Sequence, residues 1–471
     1  MTMLRFVTLI AACALSSACA TTQTDMTATP VAPAAAQPAP KAKNVIVFIG
    51  DGMGISTITA TRIYAGQKMG ESGEEHVLPF ETFDNVALVK TYNVDTQTPD
   101  SAGTATAIHS GVKTNIGMLG IGPEARLGDC QSGRGHELPL MGEDAKAHGL
   151  ALGIVSTARI THATPASVYA RSVSRDWESD NEIPSDQRSD FCRDIAGQLV
   201  AADFDVALGG GRAGFYGEAK GGRRGQADAD LPSAWAARTG GTVVETAAQL
   251  QAAPRGRPVL GLFSPSHMTY MLDRTAETTE PTLTQMTAAA IERLSADPDG
   301  YYLMVEGGRI DHGHHWGKAG YALEEGVEFA NAIQYAIDNT DPEETLILVT
   351  ADHSHVFTIS GYSKRGSPIL GLVSNPLDEG ASLAEDGKPY SILGYANGPG
   401  AVEGERGEPD TGPTAQQQSL IPLDSETHGG EDVALFGNGP GAEQVRGVIE
   451  QNEIYRIVHE AFGWDRTAPK N

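Results

Sequence analysis

The chain has 471 residues, with 60 Asp and Glu against 34 Lys and Arg, for a formal net charge of −26 at pH 7 with histidine neutral. So negative a balance argues against a nucleic-acid partner or an anionic membrane surface. It also makes any phosphate site depend on concentrated local positive charge. The length admits one large α/β domain or two smaller ones.

Residues 1–20 read as an export signal. Arg5 sits in a short leading region, 7–15 is apolar, and Ala18-Cys19-Ala20 offers a small-residue cleavage site. The apolar run is too short to span a bilayer, and no later stretch is long enough either. Cys19 leaves a lipid-anchored N-terminus as the alternative. Residues 21–43, including PVAPAAAQPAP, cannot form a core and read as a linker. The expected location is periplasmic or secreted. With Cys13 and Cys19 set aside, Cys130 and Cys192 remain, and an even pair in an oxidising compartment favours one disulfide.

Short apolar runs at 44–49, 150–155, 206–208, 301–305 and 346–349 suit buried strands, and Ala-rich segments such as 282–294 and 322–337 suit helices. Alternation of the two predicts a doubly wound, mostly parallel sheet flanked by helices, with ligands gathered beyond the carboxyl ends of its strands. Polar candidates stand at four of the five ends. After the first run, Gly50-Asp51-Gly52-Met53-Gly54 either brings the Asp51 carboxylate close to a cation or caps a helix in a Gly-rich turn. After the second come His162 and Thr164. After the fourth come Glu306, two glycines, then Asp311, His312, His314 and His315. If that segment is helical, Asp311 and His315 share one face and can hold one ion, whereas the bland alternative is a solvated His-rich loop. After the fifth come Asp352 and His353. Arg175 offers a fork for phosphate oxygens and His428 another imidazole, although either alone reads as an ordinary residue. His76, His109, His136, His148, His267 and His459 stand outside any cluster, and His314 and His355 read as supports of the ligands or as solvated.

The segment TPDSAGTATA (98–107) reads as a helix start. Pro99 stops what precedes, Asp100 caps, and Ser101 falls in the first turn, where free N–H groups favour negative charge. A serine hydroxyl needs a base or a metal to become a nucleophile. With no Gly-x-Ser-x-Gly elbow in the sequence, metal activation is the better reading.

FIGDGMG (48–54), TPDSAGTATA (98–107), THATPA (161–166), VEGGRIDHGHH (305–315), TADHSH (350–355) and ETHGGEDVALF (426–436) together resemble the alkaline phosphatase family, in family order across 44–463. The resemblance implies hydrolysis of phosphate monoesters to inorganic phosphate through a phosphoserine on Ser101, with two zinc ions and one magnesium. It assigns Asp311, His315 and His428 to the first zinc, and Asp51, Asp352 and His353 to the second. Asp51, Thr164 and Glu306 go to magnesium with His162 beside them, and Arg175 holds phosphate. His162 and His312, near the substrate with Asp100, match the animal members, as do Asp176-Trp177 and the Cys130–Cys192 pair. Ser264 stands where a calcium-ligating Glu is expected in that branch. The stretch 361–424 resembles an inserted crown region that packs at a dimer interface, which implies a homodimer. The competing readings are a phosphodiesterase or other hydrolase of the same superfamily, and a non-catalytic periplasmic phosphate- or metal-binding protein.

Overall fold

The computed structural model describes residues 41–402 and 404–464. The expected signal segment therefore lies outside the described residues, and so does the linker up to residue 40. At its far end the linker stops earlier than expected: Ala42 is buried and donates its N–H to the Ala461 carbonyl at 2.8 Å.

The strands in chain order are β1 (Asn44–Gly50), β2 (Asn85–Lys90), β3 (Ala151–Arg159), β4 (Val206–Gly210), β5 (Thr242–Val244), β6 (Val259–Leu262), β7 (Tyr301–Glu306), β8 (Thr345–Ala351), β9 (Ser354–His355), β10 (Phe357–Ile359), β11 (Leu393–Gly398), β12 (Ser419–Pro422), β13 (His428–Gly429), β14 (Val433–Asn438) and β15 (Gly447–Glu450). Ten of them form one sheet in the order β15-β2-β14-β8-β1-β7-β3-β4-β6-β5. β14 runs antiparallel to both its neighbours, and every other pairing in the sheet is parallel. β1, β7 and β8 are near-continuous apolar runs because helices cover both faces of the sheet there. β2, towards one edge, alternates instead: Ala87 and Val89 are buried while Val86 and Leu88 are exposed.

The helices follow their expected signals. Thr282 caps Leu283–Leu294 through a capping box with Gln285. Ala319–Asn339 buries Phe329 and Ile333 in the core of the large sheet and Leu323 in a second cluster with Phe357, Leu393 and Tyr395. No helix among the described residues is long and apolar enough to cross a membrane. Two small pairings serve the site. β10, β11 and β12 form a three-stranded sheet, and β13 pairs antiparallel with β9, which sets His428 opposite His355.

Candidate active site

The reversal of β14 explains how the site is assembled. Asp51 follows β1, Glu306 ends β7 and Asp352 follows β8, so all three stand at the carboxyl ends of parallel strands. His428 instead precedes a strand. Because β14 runs the other way, its start lies at the same edge, with Leu435 opposite Thr350 of β8. The turn after β1 requires a glycine at 52. Its φ is +67°, and a Cβ there would collide with the His355 ring.

Three histidines share one arrangement. His315 Nδ1 donates to the Glu426 carbonyl at 2.6 Å, His353 Nδ1 to the Ser354 carbonyl at 3.2 Å and His428 Nδ1 to the Pro99 carbonyl at 2.8 Å. Each ring therefore keeps its proton on Nδ1 and turns an Nε2 lone pair inward. Asp311 Oδ1 lies 3.2 Å from His315 Nε2 and 3.5 Å from His428 Nε2, while the two Nε2 atoms are 3.1 Å apart. His353 Nε2 lies 3.4 Å from both Asp51 Oδ1 and Asp352 Oδ2. Asp311–His315–His428, Asp51–Asp352–His353 and Asp51–His162–Glu306 each bring their ligand atoms within 4.8 Å of one another.

Both Asp51 oxygens, Glu306 Oε1, Thr164 Oγ1 and His162 Nδ1 are buried without a hydrogen-bond partner. Burial, then the charges of Asp352, Asp311 and Glu306, hold Asp51 well above the usual carboxylate range, and burial pushes Glu306 up to about 7. The unshared lone pairs of the carboxylate and hydroxyl oxygens, crowded and buried, are a poor arrangement for the protein alone, and they are the donor set that divalent cations take.

Ser101 opens the helix Ser101–Ser110. Asp100 caps it by accepting from the Gly103 N–H at 3.1 Å, and Gly111 ends it at φ +75°. The Ser101 hydroxyl donates to His353 Nε2 at 3.2 Å, so the expected nucleophile points at the ligand groups. Arg175 donates from Nη1 to Asp100 Oδ2 at 3.0 Å and from Nη2 to His162 Nε2 at 3.1 Å. Ser101, His162, Arg175, Asp311, His312, His315 and His428 line one cavity of about 370 Å³.

The alkaline phosphatase family model matches residues 42–463. The chain belongs to the alkaline phosphatase family. It is 46% identical over 437 residues to the tissue-nonspecific alkaline phosphatase isozyme of Gallus gallus, covering 88% of this chain and 83% of that one. Among solved structures it resembles the alkaline phosphatase of Thermus thermophilus, with 25% identity, a TM-score of 0.68 and coverage of 92% and 94% of the two chains. It also resembles a TAB5 alkaline phosphatase mutant with Mg bound in the M3 site, with 25% identity, a TM-score of 0.65 and coverage of 91% and 100%. The chain is accordingly a metal-dependent phosphomonoester hydrolase on a large, mostly parallel α/β sheet. Cys130 and Cys192 are joined as a disulfide with their Cα atoms 5.9 Å apart.

One histidine expectation needs correction. His267 is not outside the cluster: its ring lies 4.1 Å from that of His312 and 5.4 Å from that of His162, on the same cavity. Its segment follows β6 back over the strand ends, where the Ser264 hydroxyl donates to the Ser266 and His267 carbonyls and holds the turn. Of the two readings open for His314 and His355, burial of both excludes solvation. His314 bonds Thr57 and Tyr395, and His355 donates from Nδ1 to Glu426. Glu426 was not singled out in the sequence because a lone Glu two residues before a His carries no distinguishing pattern.

Proposed function

We propose that the chain hydrolyses phosphate monoesters through a phosphoserine on Ser101, with zinc held by Asp311, His315 and His428, a second zinc held by Asp51, Asp352 and His353, and magnesium held by Asp51, Thr164 and Glu306. The observation that carries this reading is the set of three Nε2 lone pairs converging with Asp311, Asp51 and Asp352 beside the Ser101 hydroxyl. When bound, the ions supply positive charge to the oxygens on phosphorus and lower the pKa of the serine hydroxyl and of the attacking water.

The chain's own groups set the geometry. Asp100 fixes the helix tip and thereby the direction of Ser101 attack. Arg175, braced by Asp100 and His162, keeps further N–H groups for two phosphate oxygens. His312 lines the cavity beside them, where it can meet the bound phosphate. Displacement by Ser101, followed by attack of water from the opposite side, gives two inversions and net retention at phosphorus. Because Arg175 donates to His162 Nε2, the His162 proton sits on Nδ1, and the ring offers a donor rather than a lone pair to the third site. That leaves the third site to oxygen ligands, which suits magnesium, although an imidazole in place of a carboxylate there weakens its hold.

We also read 1–20 as an export signal, 21–41 as a linker and 42–471 as the catalytic domain, with 361–424 as a crown-like insertion in a homodimer. The Cys130–Cys192 disulfide supports a periplasmic or secreted location, with a lipid anchor at Cys19 as the alternative.

Rates on an aryl phosphate and on a bis-aryl phosphate test the reading, together with zinc and magnesium content. A clear preference for the monoester with two zinc and one magnesium per chain is expected. A preference for the diester contradicts it.

A further inference from the structure

Glu426 is buried at 1% exposure, does not line the substrate cavity, and yet reaches two of the three residues assigned to the first zinc. Its Oε2 accepts from His355 Nδ1 at 2.6 Å and its Oε1 from the Val356 N–H at 2.8 Å, so the carboxylate is fixed at both oxygens. His355, buried at 2% exposure, in turn carries its Nε2 to 2.9 Å from Asp311 Oδ1. That is the same oxygen that faces His315 and His428. Along the backbone, the Glu426 carbonyl accepts from His315 Nδ1 at 2.6 Å, and the Glu426 N–H donates to the His315 carbonyl at 2.9 Å.

We propose that Glu426 is a positioning residue for the Asp311–His315–His428 group: its carboxylate acts on Asp311 through His355, and its backbone orients His315. The proposal rests on the reading that this group holds zinc. Two close approaches leave room for the device. A Cβ on Gly52 would strike the His355 ring, and a Cβ on Gly398 would press on the Glu426 Cβ at 3.0 Å. His315, His355 and Glu426 also lie close enough to hold an ion among themselves. However, both Nδ1 atoms already donate to Glu426, so that side of the two rings is closed to an ion, and Glu426 is left to support them while His315 ligates through Nε2.

A Gln at 426 can accept from only one of the two donors that Glu426 serves, which releases either His355 or the Val356 backbone. Partners that orient metal ligands typically change metal affinity by about 10–100-fold when removed. The test uses the full chain loaded with zinc and titrated with a chromophoric chelator, in wild type, Glu426→Gln, His355→Gln, the double variant and Asp311→Asn. Thermal unfolding of each zinc-stripped protein is measured alongside. The expected result is one zinc bound about 10–100-fold more weakly in each single variant, with the double variant no worse than the weaker single and little change in stripped-protein stability. If Glu426→Gln fails to fold, His355→Gln reports the same link. Wild-type zinc affinity in Glu426→Gln, or additive losses in the double variant, overturns the proposal while Asp311→Asn still loses its zinc. Full zinc retention by Asp311→Asn overturns both the proposal and the site reading on which it rests.

Discussion

Arg175 Nη1 lies 3.0 Å from Asp100 Oδ2, and the other oxygen of the same carboxylate caps the helix that begins at Ser101. Burial pushes the Asp100 carboxyl up, but Arg175 and the N–H groups of Gly117 and Gly103 outweigh it and hold the group below the usual range. One residue thus aims Ser101, the proposed nucleophile, and braces Arg175, proposed to hold phosphate. Asp100→Ala is expected to cost about 1 kcal/mol of stability from the lost cap and to raise KM roughly tenfold. Asp100→Asn, which still caps, is expected to keep the stability and raise KM. Thermal unfolding and steady-state kinetics on an aryl phosphate separate the two roles.

The Cys130–Cys192 disulfide joins residues 62 apart in sequence and packs in a small apolar cluster with Val173 and Trp177, which flank Arg175. Closing a loop of that length contributes about 4 kcal/mol in the chain-entropy account. The double variant Cys130→Ser, Cys192→Ser is expected to unfold at clearly lower denaturant concentration and to show a raised KM, because the segment carrying Arg175 loses its tether. An unchanged denaturation midpoint would contradict this.

His109 sets a pH dependence outside the ligand groups. Burial pushes its imidazole down from 6.5 to about 4, and its Nδ1 meets the Ala105 carbonyl and the Ser167 hydroxyl. With the folded value below the unfolded one, the stabilising contribution is complete above about pH 6.5 and is lost as pH falls towards 4. The full span is about 3 kcal/mol. Equilibrium unfolding between pH 7 and pH 4 is expected to show a shallower decline for His109→Gln than for wild type.

Stripping the metals with a chelator is expected to abolish phosphatase activity and to lower Tm, because the buried carboxylates of Asp51, Glu306, Asp311 and Asp352 are left without cations. Ligands held at about a thousand times their Kd contribute about 4 kcal/mol each. Zinc is expected to restore activity, and magnesium to raise it further. A stripped enzyme that keeps its rate contradicts the metal-dependent account.

Much of the fold and the site was legible in the sequence because β1, β7 and β8 are continuous apolar runs ending in residues of metal-ligand type. β2 was not singled out although Val86-Ala87-Leu88-Val89 is an unbroken apolar run; its burial alternates, with Val86 and Leu88 facing outward, which the residue types alone do not reveal. β6 escaped because Gly261 interrupts it, and a Cβ there would collide with Phe263. His428 could be placed only through the family resemblance, since nothing local reveals that β14 runs backwards and brings its start to the site. The supporting role of His355 and Glu426 depends on the pairing of β13 with β9, a contact between segments about 70 residues apart. His267 was hidden for the same reason: only the folded course of its segment sets it against His312.

The central claim is that Ser101 carries the phosphoryl group. Mixing enzyme with excess aryl phosphate, quenching in acid within one turnover and mapping peptides by mass spectrometry tests it most directly. The account predicts a phosphoryl group on Ser101, absent from Ser101→Ala, whose turnover falls by about 10³-fold or more. Undiminished turnover by Ser101→Ala, or a wild-type enzyme turning over with Ser101 unmodified, would contradict it.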